Sequence, residues 1–138
     1  MKMTKLAVLT LVTALVLVAC KKPDDIQPTF TIEKPLNNES YSRGSSIDFK
    51  AVFKDYKELS QYKIDIHDDI DVHGHNKTDS TATWSETLTG DLSGKEQTAT
   101  RVIAIPADAK IGPYHFIVKC IDAAGNEASF QTIDFEVQ

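Results

Sequence analysis

The stretch Gly112-Pro113-Tyr114-His115-Phe116-Ile117-Val118-Lys119-Cys120-Ile121-Asp122-Ala123-Ala124-Gly125-Asn126 decides the fold. Tyr114, Phe116, Val118 and Cys120 alternate with His115, Ile117 and Lys119. A period of two places the first set on one face of an extended strand and the second set on the other. Ala123-Ala124-Gly125-Asn126 supplies the turn of a hairpin, and Phe130, Ile133, Phe135 and Val137 fall on a returning strand from 127 to 137. Such a pair offers one apolar face to a core and one mixed face to solvent.

Outward from this pair the same pattern recurs. Phe30 and Ile32 begin a first strand over 29–34, which stops at Pro35, and Asn37-Asn38-Glu39-Ser40 reads as a turn. Ile47, Phe49, Ala51 and Phe53 alternate with Asp48, Lys50 and Val52 over 46–54. Tyr62, Ile64 and Ile66 alternate with Lys63, Asp65 and His67 over 59–67. Trp84 and Leu88 mark a strand over 82–89, and Gly90, Ser93 and Gly94 read as a turn region. A further strand ends at Pro106, with either Val102 and Ala104 or Ile103 and Ile105 facing inward. No long segment has helical periodicity. About seven short strands at this spacing predict an all-β, immunoglobulin-like antiparallel β-sandwich.

The chain opens with Lys2 and Lys5 and then an apolar run from Leu6 to Ala19, the layout of a secretory signal and too short for a confident membrane span. Leu17-Val18-Ala19-Cys20 resembles the lipobox of bacterial lipoproteins. The resemblance implies cleavage before Cys20 and acyl chains on its sulfur and its new amino group, which together anchor a protein to a membrane. The expected layout is a signal peptide at 1–19, lipidated Cys20 and a polar linker at 20–28, and one sandwich domain at 29–138. Lys21, where inner-membrane lipoproteins often carry aspartate, points to the outer membrane of the bacterial envelope. Lys22-Pro23-Asp24-Asp25 resembles a short signal for export to the cell surface. Loss of residues 1–19 removes two lysines and takes the formal charge from −5 to −7. An acidic domain excludes nucleic acid as the expected partner. Cys120 is then left alone, so no internal disulfide is expected and the thiol reads as a small buried apolar group.

Three of the four histidines fall in Ile66-His67-Asp68-Asp69-Ile70-Asp71-Val72-His73-Gly74-His75, and the fourth is His115. In an immunoglobulin-like plan the strands ending at His67 and beginning near His115 are antiparallel neighbours. Both histidines alternate opposite an apolar set, so both face outward, and opposed residues of such strands lie about 5 Å apart. Fully extended, the eight residues from His67 to His75 span roughly 26 Å. His73 and His75 therefore join the pair only if the chain curls back, which Gly74 permits. Neutral imidazole is a common ligand of borderline metals. The expected centre is zinc or copper held by His67, His73, His75 and His115, with Asp71 in the ligand set; Asp71 and Asp69 share a parity that lets either add a carboxylate or hold a ring nitrogen.

Pro35 and Tyr41-Ser42-Arg43-Gly44, with the quoted strand pair, resemble bacterial immunoglobulin-like modules. Residues 59–75 and 112–126 resemble an uncharacterised family of immunoglobulin-like lipoproteins marked by Ile-His, then Asp-x-His-x-His, and later Tyr-His-Phe. His67, Asp71, His73, His75 and His115 match that pattern. Ile70 replaces the usual aromatic and Val72 the usual glycine, which bears on the path of the connection. The resemblance carries no activity.

The primary functional expectation is thus a lipid-anchored protein that binds a transition metal for acquisition, buffering or stabilisation of the connection. The alternative is a non-catalytic adhesive or accessory module that contacts a glycan, a protein or an outer-membrane receptor. Calcium is the alternative ion, with Asp55, Asp68, Asp69, Asp71, Asp122 and Asn126 as oxygen donors, although no segment has the spacing of a calcium loop. No Ser-His-Asp or Cys-His arrangement is readable, so no enzyme is expected; a metal-dependent hydrolase with Asp68 or Asp69 as base is the weaker option. Asp79-Ser80-Thr81 resembles a short O-glycosylation acceptor.

Overall fold

Among the described residues eight strands form in chain order: β1 (Thr29–Lys34), β2 (Glu39–Tyr41), β3 (Ser46–Lys54), β4 (Leu59–Asp68), β5 (Ser85–Asp91), β6 (Glu96–Ala104), β7 (Gly112–Asp122) and β8 (Gln131–Val137). They belong to a computed structural model that describes residues 23–69 and 83–138. One sheet has the order β1-β3-β6 and the other the order β2-β8-β7-β4-β5. All pairings are antiparallel except that of β2 with β8. The result is an all-β, two-sheet fold consistent with an immunoglobulin-like sandwich.

The alternation read from the sequence becomes the inner face of each sheet. Ile47, Phe49, Ala51 and Phe53 of β3 are at most 1% exposed. They meet Tyr62, Ile64 and Ile66 of β4 and Tyr114, Phe116, Val118 and Cys120 of β7 in one core. Aromatic rings carry the contact between sheets: Phe49 lies 5.6 Å from Tyr62 and 5.8 Å from Phe116, and Phe53 stacks on Tyr62 at 5.4 Å. On β6, Ile103 is buried and Val102 is 71% exposed, which selects the inward phase left open by the sequence. Burial pushes the Cys120 thiol up to about 11, as do the charges of Asp55 and Asp122, so it packs as a neutral group.

Three elements differ from the pattern. Glu39–Tyr41, which overlaps the end of the stretch read as a turn, is a short edge strand alongside β8. The last strand begins at Gln131 rather than 127, and Phe130 is 65% exposed off its end. Gly90 belongs to β5, where it faces Tyr62 across the ladder, instead of marking a turn.

Candidate functional site

β4 and β7 are neighbours inside the five-stranded sheet, and their register sets His67 directly opposite His115. The ring centroids are 5.4 Å apart, with the planes at 75°. Beyond β4 the Asp69 N–H donates to the Pro113 carbonyl at 3.0 Å, which holds this residue against the start of β7. Its carboxylate Oδ1 then lies 2.9 Å from His115 Nε2. On the other side, Asp134 of β8 pairs with His115 and places Oδ1 2.8 Å from Nδ1. Asp134 is itself fastened by the chain before β2, where Asn37 Oδ1 accepts its N–H at 2.8 Å and its carbonyl accepts the Asn38 N–H at 2.7 Å.

A carboxylate only accepts hydrogen bonds, so the two carboxylates favour the doubly protonated form of His115. Partial burial alone would lower the His115 pKa. Hydrogen bonds to Asp134 and Asp69, and the charges of both, outweigh burial and raise it above the ordinary histidine value. Because the folded pKa is raised, the ion pairs contribute fully below the ordinary histidine pKa. Their contribution fades as pH rises through the raised value. Asp134→Asn should therefore bring the ring titration of His115, followed by proton NMR, back toward that of an ordinary histidine. A titration left in place would show that Asp134 does not govern the ring.

The expected histidine metal centre is corrected: both ring nitrogens of His115 face carboxylates, at 2.9 and 2.8 Å. Among the described residues, the group of three or more His, Cys, Asp or Glu side chains with converging ligand atoms is Asp24, Asp55 and Asp122, with no histidine in it. Asp71, His73, His75, Cys20 and Asp79-Ser80-Thr81 lie outside the described residues.

The aspartate group comes from three separate segments. Asp24 precedes β1, Asp55 follows β3, and Asp122 ends β7. Their ligand oxygens lie within 4.8 Å of one another. Asp55 Oδ1 accepts the N–H groups of Lys57 and Glu58, both at 2.7 Å, and closes the turn into β4. Asp122 Oδ1 accepts the N–H groups of Ala124 and Asn126 at 2.8 Å, and Oδ2 accepts Asn126 Nδ2 at 2.7 Å. Burial works to raise the Asp122 pKa, but the hydrogen bonds from Asn126, Ala124 and Gly125 outweigh it and hold the carboxyl below its ordinary value. Asn126 Nδ2 also reaches the Asp24 carbonyl at 3.1 Å, which brings the segment before β1 against this turn. The arrangement is a carboxylate cluster able to hold a divalent ion, and nothing in its oxygen donors selects zinc or copper.

Sequence reasoning named Asp55, Asp122 and Asn126 among the oxygen donors of a calcium alternative, explained Asp122 and Asn126 as hairpin residues, and left Asp24 in a linker. Each local reading accounts for that residue's own turn. Convergence of the three carboxylates is a property of the tertiary fold, and no spacing along the chain announces it.

A family model described as a domain of unknown function, DUF4625, matches residues 18–135. No functionally curated protein matches the sequence. Among solved structures, a DUF4466 family protein from Parabacteroides merdae superposes with a TM-score of 0.56 at 12% identity. That alignment covers 81% of this chain and 45% of the other, so the chain spans under half of that protein. Fibronectin(III)-like modules of Clostridium thermocellum CbhA give a TM-score of 0.45 at 18% identity, over 79% of this chain and 94% of theirs. The SrpA adhesin of Streptococcus sanguinis gives 0.48 at 14% identity, over 83% and 59%. At these identities the first likeness shows a shared fold and nothing more. The expected family, an uncharacterised one of immunoglobulin-like lipoproteins marked by a His…Asp-x-His-x-His loop and a Tyr-His-Phe strand, is corrected here: the matching family is DUF4625, and the cluster found among the described residues is built of aspartates.

Proposed function

The chain belongs to the DUF4625 family, and from that premise we propose a non-catalytic binding module of the bacterial envelope, lipid-anchored through Cys20, that docks an acidic protein surface. The carrying observation is on the outer face of the five-stranded sheet, where Lys63 and Lys119 stand directly opposite one another on β4 and β7. Like charges at opposed positions destabilise a sheet. Asp65 offsets part of this, with Oδ2 3.0 Å from Lys63 Nζ. A partner's carboxylates would offset the rest and would be steered to the face by it.

The same face carries His67, His115 and Asp134 toward one end. In this reading those residues contact the partner instead of a metal. A protein suits the face better than a glycan. Trp84 is committed to the core at 7% exposure, and Tyr56, although 63% exposed, lies off this face in the turn between β3 and β4. The apolar run and Cys20 support export and acylation, with Lys21 favouring the outer membrane.

Photo-crosslinking in the native envelope tests the docking face. A photoreactive residue at position 119 should give a discrete adduct with an envelope protein, and one at Val102, on the other sheet, should not. Equal labelling from both positions, or none from 119, would overturn the docking face. Cys20→Ser should release the protein from the membrane fraction; retention there would overturn the anchor.

A further inference from the structure

We propose that Asp24, Asp55 and Asp122 form a calcium site that straps the segment before β1 onto the end of the sandwich. The first support is convergence: three carboxylates from three segments bring ligand oxygens within 4.8 Å of one another. All three are withdrawn from water, with Asp122 2% and Asp55 9% exposed and the Asp24 side chain 7% exposed. Buried carboxylates that approach this closely repel one another unless a cation lies among them. Lys57 Nζ, 3.9 Å from Asp24 Oδ2 on a side chain 43% exposed, offsets part of that charge from the rim.

The second support is independent of the clustering. Asp55 Oδ2 is a buried side-chain oxygen with no hydrogen-bond partner among the described residues. Its twin Oδ1 is taken by the Lys57 and Glu58 N–H groups, so Oδ2 is the oxygen left for a ligand. An orphaned acceptor of this kind is costly in a native core, and a metal ion removes the cost. The turn chemistry that accounts for Asp122 leaves this atom unexplained.

Hard oxygen donors select calcium or magnesium over zinc and copper. Calcium–oxygen distances of about 2.4 Å suit donors up to 4.8 Å apart on opposite sides of an ion, whereas magnesium demands a tighter octahedron. Asn126 acts as a positioning residue: Nδ2 ties Asp122 Oδ2 to the backbone carbonyls of Asp24 and Ile26. The ion would join the end of β7 and the turn after β3 to the stem of the domain, and so fix how the domain leaves that stem.

The test is calcium titration of the full chain in detergent after chelator treatment, with calcium chloride alone as the probe. One ion per chain should bind, with at least tenfold weaker binding of magnesium. At a hundredfold excess over Kd the thermal midpoint should rise by about 5 °C or more. Amide exchange across residues 23–28 should slow at the same time. Asp55→Asn and Asp24→Asn preserve side-chain acceptors for the local turns. Each should abolish the calcium response, and, because it removes one charge from the repelling cluster, should leave the calcium-free midpoint at or above that of the wild type. No saturable calcium binding, zinc binding in preference to calcium, or full calcium binding by either variant would overturn the site. Calcium binding without slowed exchange across 23–28 would overturn the strap. Neither result bears on the docking face, which the crosslinking experiment reads separately.

Discussion

Phe49→Ala is expected to cost about 3–5 kcal/mol, a large part of the roughly 5–15 kcal/mol that holds a domain of this size folded. Phe49 is 1% exposed, and its ring lies close to both Tyr62 and Phe116, at centroid distances of 5.6 and 5.8 Å. It belongs to β3 in the three-stranded sheet, whereas Tyr62 and Phe116 belong to the five-stranded sheet. Truncation therefore opens a cavity at the junction of the two layers and removes aromatic contacts beyond the area lost. Urea unfolding should show a lower midpoint at unchanged slope. Val102→Ala on the exposed face of the same sheet should stay within about 0.5 kcal/mol of the wild type. Comparable losses from the two variants would mean that the layers are not joined through Phe49.

Gly90→Ala is expected to destabilise the sandwich by about 1–3 kcal/mol, through overpacking rather than backbone strain. A Cβ built on Gly90 falls 2.2 Å from Tyr62 Cε1, 2.4 Å from Cζ and 2.5 Å from the hydroxyl oxygen. The ring cannot step aside freely, because it packs against both Phe49 and Phe53 and is 6% exposed. A double variant with Tyr62→Leu separates the two causes. If the clash is the cause, Gly90→Ala should cost much less in the Tyr62→Leu background than in the wild type. Equal costs in both backgrounds would place the cause in the backbone.

Gly90 shows how far local reading reaches. Beside Ser93 and Gly94 it reads as turn chemistry, because glycine in short polar company most often is. Its use here is to leave room for an aromatic ring from the neighbouring strand, and that ring becomes its neighbour only when β4 and β5 pair. Edge strand β2 was hidden for a related reason. Glu39–Tyr41 has no apolar alternation of its own and becomes a strand by bonding to β8, almost a hundred residues away. Where alternation was strong, at β3, β4 and β7, the strands lie within a residue or two of where the pattern put them.

The chemistry divides along the same line. Sequence alone determined the all-β class, the inward faces of β3, β4 and β7, the buried state of Cys120 and the opposition of His67 to His115. Each follows from a period of two and one antiparallel pairing rule. Only the tertiary structure decided what those groups do. Asp69 arrives at His115 from beyond β4 and Asp134 from β8, and together they occupy both ring nitrogens. Asp24, Asp55 and Asp122, each ordinary in its own turn, meet because the segment before β1, the turn after β3 and the end of β7 share one end of the sandwich. Side-chain periodicity is a local property of the backbone and can be read along the chain. The convergence of charges depends on which strand ends the fold brings together, and that is set by packing across distances the local pattern does not encode.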